Sequence, residues 1–165
     1  MNGLGDVARL EWARQQAYHA AEAEPLDPRR LAAVDAEQLD RLRLELHPST
    51  RICESHWPVL DIWATNARDA QVRRIELNSG GQQVLIVRPG AQVSKQLLPA
   101  GGAQFLRAIA AGRCLAESAQ AALAKAPDFE LAELLQLLLQ AGALVDFELA
   151  DFEPAVQAGG GNDDD

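Results

Sequence analysis

The sequence predicts an α+β fold in which an N-terminal helical and short-hairpin segment precedes a small winged-helix module. Three observations carry this expectation. Residues 82–88 (QQVLIVR) and 92–98 (QVSKQLL) are short apolar runs around Pro89-Gly90, a pair whose fixed and permissive φ angles suit a chain reversal, so they predict a hairpin. After Pro99, residues 103–111, 115–125 and 129–141 read as three helices, with Gly142 stopping the last. Residues 143–149 (ALVDFEL) then return to a strand-like pattern. The expected boundaries are 1–78 for the first segment, 79–150 for the module and 151–165 for an acidic tail that is flexible by composition.

The first segment is punctuated by caps and prolines. Asp6 can cap a helix over 7–23 that carries Leu10, Ala13, Ala17 and Ala21 on one face, flanked by Trp12, Tyr18 and His19. Pro25-Leu26-Asp27-Pro28 breaks that helix and starts another over 28–34, because Asp27 can cap and proline suits the first helical position. A further turn is expected around 36–42. Leu42, Leu44 and Leu46 alternate with Arg43, Glu45 and His47, the period of a half-buried strand. Pro48-Ser49 turns it, residues 50–54 can pair back, and Trp57-Pro58 opens a short helix over 59–66 that carries Trp63.

Composition sets the limits. With 165 residues and 48% hydrophobic content the chain can bury a core of one domain or two small ones. No apolar run approaches the roughly 20 residues of a membrane helix. The opening MNGLGDVARLEW has neither the basic end nor the apolar centre of a signal peptide, so a cytoplasmic location without membrane attachment is expected. Cys53 and Cys114 stand far apart in no metal or redox spacing and read as reduced buried thiols. The three His form no paired ligand motif, and each sits beside a turn where a ring nitrogen can satisfy backbone. No metal or cofactor is expected in this chain, and no catalytic residue.

Charge bears on partners. Residues 1–75 carry 12 acidic and 10 basic side chains, and 76–165 carry 12 and 5, giving a net charge of -9. A DNA-reading winged helix needs Arg or Lys on its third helix. Residues 128–142 (DFELAELLQLLLQAG) hold three acids and no cation, which argues against nucleic acid as a partner. Leu131, Leu134, Leu135 and Leu138 form one helical stripe, and Leu137 and Leu139 widen it beyond a single core face. Either a second polypeptide covers the excess, or the helix is sandwiched between the module's core and another segment of the chain.

Two stretches carry a resemblance. LGDVARLEWARQQAYHAAEAEPLDP, followed by LRLELHPSTRICESHWPVLDIWATN, resembles a bacterial family once labelled a DNA-binding domain. Its members are encoded beside multinuclear non-haem iron-dependent oxidases (MNIO enzymes) that modify ribosomally made peptides. VLIVRPG, FLRAIAAGRCLAESAQAALA and LLQLLLQAGALVDF resemble the PqqD-like winged helix known as a RiPP recognition element, in a looser pattern of leucines and a glycine. Longer members carry a helical domain ahead of the first stretch. Here the chain begins almost at the motif, so roles of those helices are not carried over.

The resemblance implies a non-catalytic partner subunit that binds a TIM-barrel iron oxidase and presents the leader of a precursor peptide for modification at Cys. The iron is expected in the partner enzyme, since a (β/α)8 barrel takes about 200 to 250 residues. Leader capture is expected by β-augmentation, in which an extended peptide adds to a sheet edge. On this reading 92–98 is the edge strand, Val93 or Leu97 floors a groove, and Leu131, Leu134, Leu135 and Leu138 wall it. Lys95, one of two lysines, can pair with an acidic leader residue or guard the edge against aggregation. Docking to the enzyme falls to Trp12, Tyr18, Arg51, Trp57 and Trp63, the residue types that dominate interfaces, with Arg73-Arg74 as further candidates. Two other classes stay open: a winged-helix transcription regulator and a stand-alone metal enzyme.

Overall fold

The first helix, α1 (Gly3–His19), is longer at its start and shorter at its end than the cap residues predict. Asp6 does not stand before the helix but in its first turn, where its carboxylate accepts from the Ser55 hydroxyl and pairs with Arg9. A carboxylate there also meets the positive end of the helix dipole. The helix stops at His19 rather than Ala23 because another part of the chain takes its last carbonyls. The buried Arg88 guanidinium donates to Ala17 O (3.1 Å) and Ala20 O (2.6 Å). This is a computed structural model, and it describes residues 3–60 and 81–150. The expected tail over 151–165, Trp63 with most of its helix, and Arg73-Arg74 lie outside the described residues.

Asp27 caps α2 (Pro28–Ala32) as expected, accepting from Arg29 N–H at 3.0 Å with Pro28 in the first position. A single 3-10 turn, Leu39–Arg41, leads into β1 (Leu42–Leu46). Here strand pairing departs from the expected local hairpin. β1 does not pair with β2 (Arg51–Ser55), the strand that follows; it pairs antiparallel with β5 (Leu144–Leu149), the last element described. β2 pairs with β3 (Gln82–Val87), which pairs with β4 (Ser94–Leu97), giving a three-stranded sheet of order β2-β3-β4. The turn between β1 and β2 explains the switch. His47 N–H still donates to Ala143 O (2.7 Å), but Pro48 has no donor to continue the ladder, and Ser49 Oγ accepts Arg88 N–H (2.7 Å) at the end of β3.

The β3-β4 hairpin and the three helices α3 (Gly102–Ala110), α4 (Leu115–Lys125) and α5 (Leu131–Ala141) fall where the sequence puts them, with α5 starting two residues late. Phe129 is held ahead of α5 by its N–H on Ala126 O (3.0 Å), and its ring packs on Phe105 with centroids 6.0 Å apart. Gly142 ends α5 at φ 72, where a Cβ would stand 2.6 Å from Pro89 Cβ, so both conformation and space demand glycine.

β3 explains why its sequence is apolar throughout rather than alternating. Val84 and Ile86 meet α1 on one face, with Leu10, Ala17 and Cys53. Leu85 and Val87 face the opposite way, into the larger core with Phe105, Leu106, Leu134 and Leu138. A strand covered on both faces has no solvent side to mark with polar residues. The larger core also draws Leu26, Leu31, Leu42 and Leu44 from the first part of the chain, and Ala143 and Leu144 from its end. The layers are therefore α1, the three-stranded sheet, then the helices, with the β1-β5 pair packed against the helical layer.

Candidate functional site

Among the described residues β4 is an edge strand of its sheet, and the alternation of the ladder decides what that edge offers. Leu98 N–H donates to Gln83 O (2.8 Å), so the even-numbered residues of β4 exchange bonds with β3. Lys95 and Leu97 consequently turn their N–H and C=O outward. Their side chains lie opposite Ile86 and Val84, on the face that α1 covers, and Val93 packs against the same apolar cluster.

Beside them runs one flank of α1, on which Glu11, Arg14 and Tyr18 follow one another at helical spacing. Burial holds the Lys95 ammonium below the usual lysine range, repulsion from Arg14 adds to that, and Glu11 opposes it. These couplings put Lys95 next to that flank. Tyr18 on α1 is 57% exposed and Leu97 on β4 47%. A cleft of about 250 Å3 lined by Arg14, Gln15, Tyr18 and His19 continues along the helix. The arrangement is a trough with a floor of Val93, Lys95 and Leu97, one wall from α1, and a row of backbone donors and acceptors along its open side.

The leucines expected to wall the groove are elsewhere. Leu134 and Leu138 are fully buried in the larger core, and Leu131, Leu135, Leu137 and Leu139 are half-buried against it. The sheet stands between this core and the face that carries Val93, Lys95 and Leu97. The structure thus brings the three β4-side residues together but does not bring the α5 leucines to them. All six leucines of α5 thus pack into or against that one core, two of them buried and four still partly open to solvent.

The expected docking residues also separate. Trp12 (65% exposed) and Tyr18 are presented on α1. Arg51 instead turns back onto its own turn, donating to Pro48 O (2.9 Å) and Thr50 O (2.8 Å). Trp57 is half-buried, its backbone N–H on Ser55 Oγ (3.0 Å). Trp63 lies outside the described residues.

Sequence reasoning missed the group that fixes α1 over the sheet. Arg88 is buried and also donates to Gly90 O (2.6 Å), so one guanidinium joins the end of α1 to the turn of the hairpin. His47 is buried beside it. Its Nδ1 accepts from Ser49 N–H (3.1 Å), so Nε2 carries the proton and donates to Ala23 O (3.0 Å). The sequence does hold a signal: a cation ending an apolar strand just before Pro-Gly, and a His-Pro-Ser turn. The expectation that His47 satisfies backbone beside its turn is met.

Among the described residues no three His, Cys, Asp or Glu side chains gather as a metal site, and no helix is long and apolar enough to cross a membrane. Cys53 is buried, which pushes its thiol up, and Cys114 is half-buried before α4; both are free. Comparison with protein-family models, with curated proteins and with solved structures found no match.

Proposed function

We propose that this chain is a non-catalytic partner subunit of an MNIO iron oxidase, and that it captures the leader of a ribosomally made precursor peptide as an added strand on β4. The observation that carries the reading is the outward-facing backbone of Leu97 on β4, which among the described residues is an edge strand of its sheet, on the face that α1 covers. Such an edge supplies the main-chain hydrogen bonds of β-augmentation, while side chains in the trough supply selectivity. The order of hairpin, three helices and closing strand is the one expected from the PqqD-like resemblance and supports this reading, although β5 closes onto β1 instead of the hairpin. The resemblance in 4–66 supplies the enzyme partner, and Trp12 on the outer side of α1 is the residue best presented to meet it.

Relative to the groove drawn from sequence, the wall changes from α5 to α1. Glu11, Arg14 and Tyr18 replace Leu131, Leu134, Leu135 and Leu138 as the groups beside the guest strand. Regulation of transcription finds less support, because α5 presents Glu133 and no cation.

The test is Leu97→Pro. Proline at this position removes an outward N–H and an exposed side chain while the bonds of β4 to β3, made by its neighbours, remain. With the MNIO enzyme and precursor from the same gene neighbourhood, the variant should co-purify with the enzyme and keep its circular dichroism. Processing of the precursor should fall about tenfold or more, ~1.4 kcal/mol of leader binding. Processing at the wild-type rate by a folded L97P chain rules out β4 as the leader site.

A further inference from the structure

Among the described residues β1 is also an edge strand, and its pattern is complementary to itself. β1 reads Leu42-Arg43-Leu44-Glu45-Leu46, with leucines placed symmetrically about Leu44 and opposite charges on either side of it. Ala150 N–H donates to Arg41 O (2.8 Å), so up to the bulge between Glu45 and Leu46 the odd-numbered residues bond to β5. Leu44 therefore directs its N–H and C=O away from β5, toward the side on which β1 has no strand neighbour among the described residues. A cleft of about 550 Å3 lies along β1, lined by Leu44, Leu46, Ile109 and Ala110 and, at its rim, by charged residues that include Arg43 and Glu45. Thr50 Oγ1 there is buried and has no hydrogen-bond partner among the described residues.

We infer that β1 pairs antiparallel with β1 of a second copy of this chain across a two-fold axis at Leu44. The two Leu44 residues exchange backbone bonds, and each Arg43 stands directly opposite the Glu45 of the other copy. Both side chains are exposed on the solvent face, and directly opposed residues of an antiparallel pair have Cβ atoms about 5 Å apart. The leucines meet on the other face, beside Ile109 of the larger core. The product is a four-stranded sheet of order β5-β1-β1-β5, which removes an edge that is a liability when left open. Charge complementarity selects a second copy over an unrelated strand, because an isologous interface needs a surface that matches itself when reversed. This inference does not rest on the peptide reading, since β4 lies in the other sheet.

Sedimentation velocity on the full chain tests it. Wild type should be a dimer in reversible exchange. Glu45→Arg sets two guanidinium groups directly opposite each other at both symmetry-related positions beside the axis, so dimerisation should weaken about tenfold or more. The same change suits the fold, because Glu45 is paired across the strand with Asp146. Arg43→Glu should also be monomeric, with circular dichroism confirming its fold. The double variant R43E/E45R should dimerise again, and an equimolar mixture of R43E and E45R should form a heterodimer. A wild type that stays monomeric up to about 1 mM overturns the proposal. So does an E45R chain that dimerises like wild type, or a failure of the double variant to recover.

Discussion

One side chain does more than any other described to hold the layers in place. Arg88 sits buried between the end of α1 and the hairpin turn, its guanidinium meeting three backbone carbonyls. Its Coulombic partner is weak by comparison, since the Glu22 carboxylate stands 4.0 Å away and is 92% exposed. The carbonyls are the reason the charge is tolerated. Arg88→Met keeps the apolar stem but leaves Ala17 O and Ala20 O without their donor, and should cost about 3 kcal/mol in urea unfolding. The end of α1 should fray in the same variant, read as faster amide exchange in its last turn. A loss of less than about 0.5 kcal/mol means that water replaces the guanidinium there. None of this follows from composition, because an arginine before Pro-Gly reads equally well as a solvated turn residue until its partners, some 70 positions away, are known.

At the scale of elements, what the chain announces is local and what it withholds is pairing. Gly142, Pro99, Asp27 and Pro28 act on their own neighbours, so the hairpin, α2 and the three later helices fall close to where these residues put them. Strand partners are different. Leu42, Leu44 and Leu46 declare a strand with one buried face, but that pattern holds for any neighbour, and β5 and β2 both satisfy it. The choice is made by Pro48 and by Ser49 reaching Arg88, which periodicity does not register. The stripe on α5 fails as a site signal for a related reason. Leucines at helical spacing look the same whether the second surface is another protein or a distant strand of the same chain. Truncation separates the cases. Leu134→Ala should cost about 2–5 kcal/mol and Leu135→Ala about half as much, both by denaturant unfolding. Neither should alter leader affinity once the folded fraction is accounted for. A specific loss of leader binding in folded L135A returns α5 to the site.

For the molecule as a whole, one sheet serves two purposes through its two faces and its edge. One face is committed to the helical core and the other to α1, which leaves the borders of the sheet, β4 among them, for a guest. The floor residues Val93, Lys95 and Leu97 were legible from the turn at Pro89-Gly90, which fixes where the second hairpin strand must lie. The wall was not, because α1 is about 75 residues earlier and nothing in either stretch names the other. The acidic surplus of the chain is consistent with a polypeptide guest and offers no broad cationic surface to a duplex. The central claim is that the guest strand bonds to the outward backbone of β4. Amide hydrogen exchange, followed by NMR on the full chain with and without a synthetic leader segment of the precursor from the same gene neighbourhood, reads it directly. The Lys95 and Leu97 amides should slow about tenfold or more on binding while those within α5 do not change. Leader binding that leaves both amides exchanging as before, or no binding at all, contradicts it.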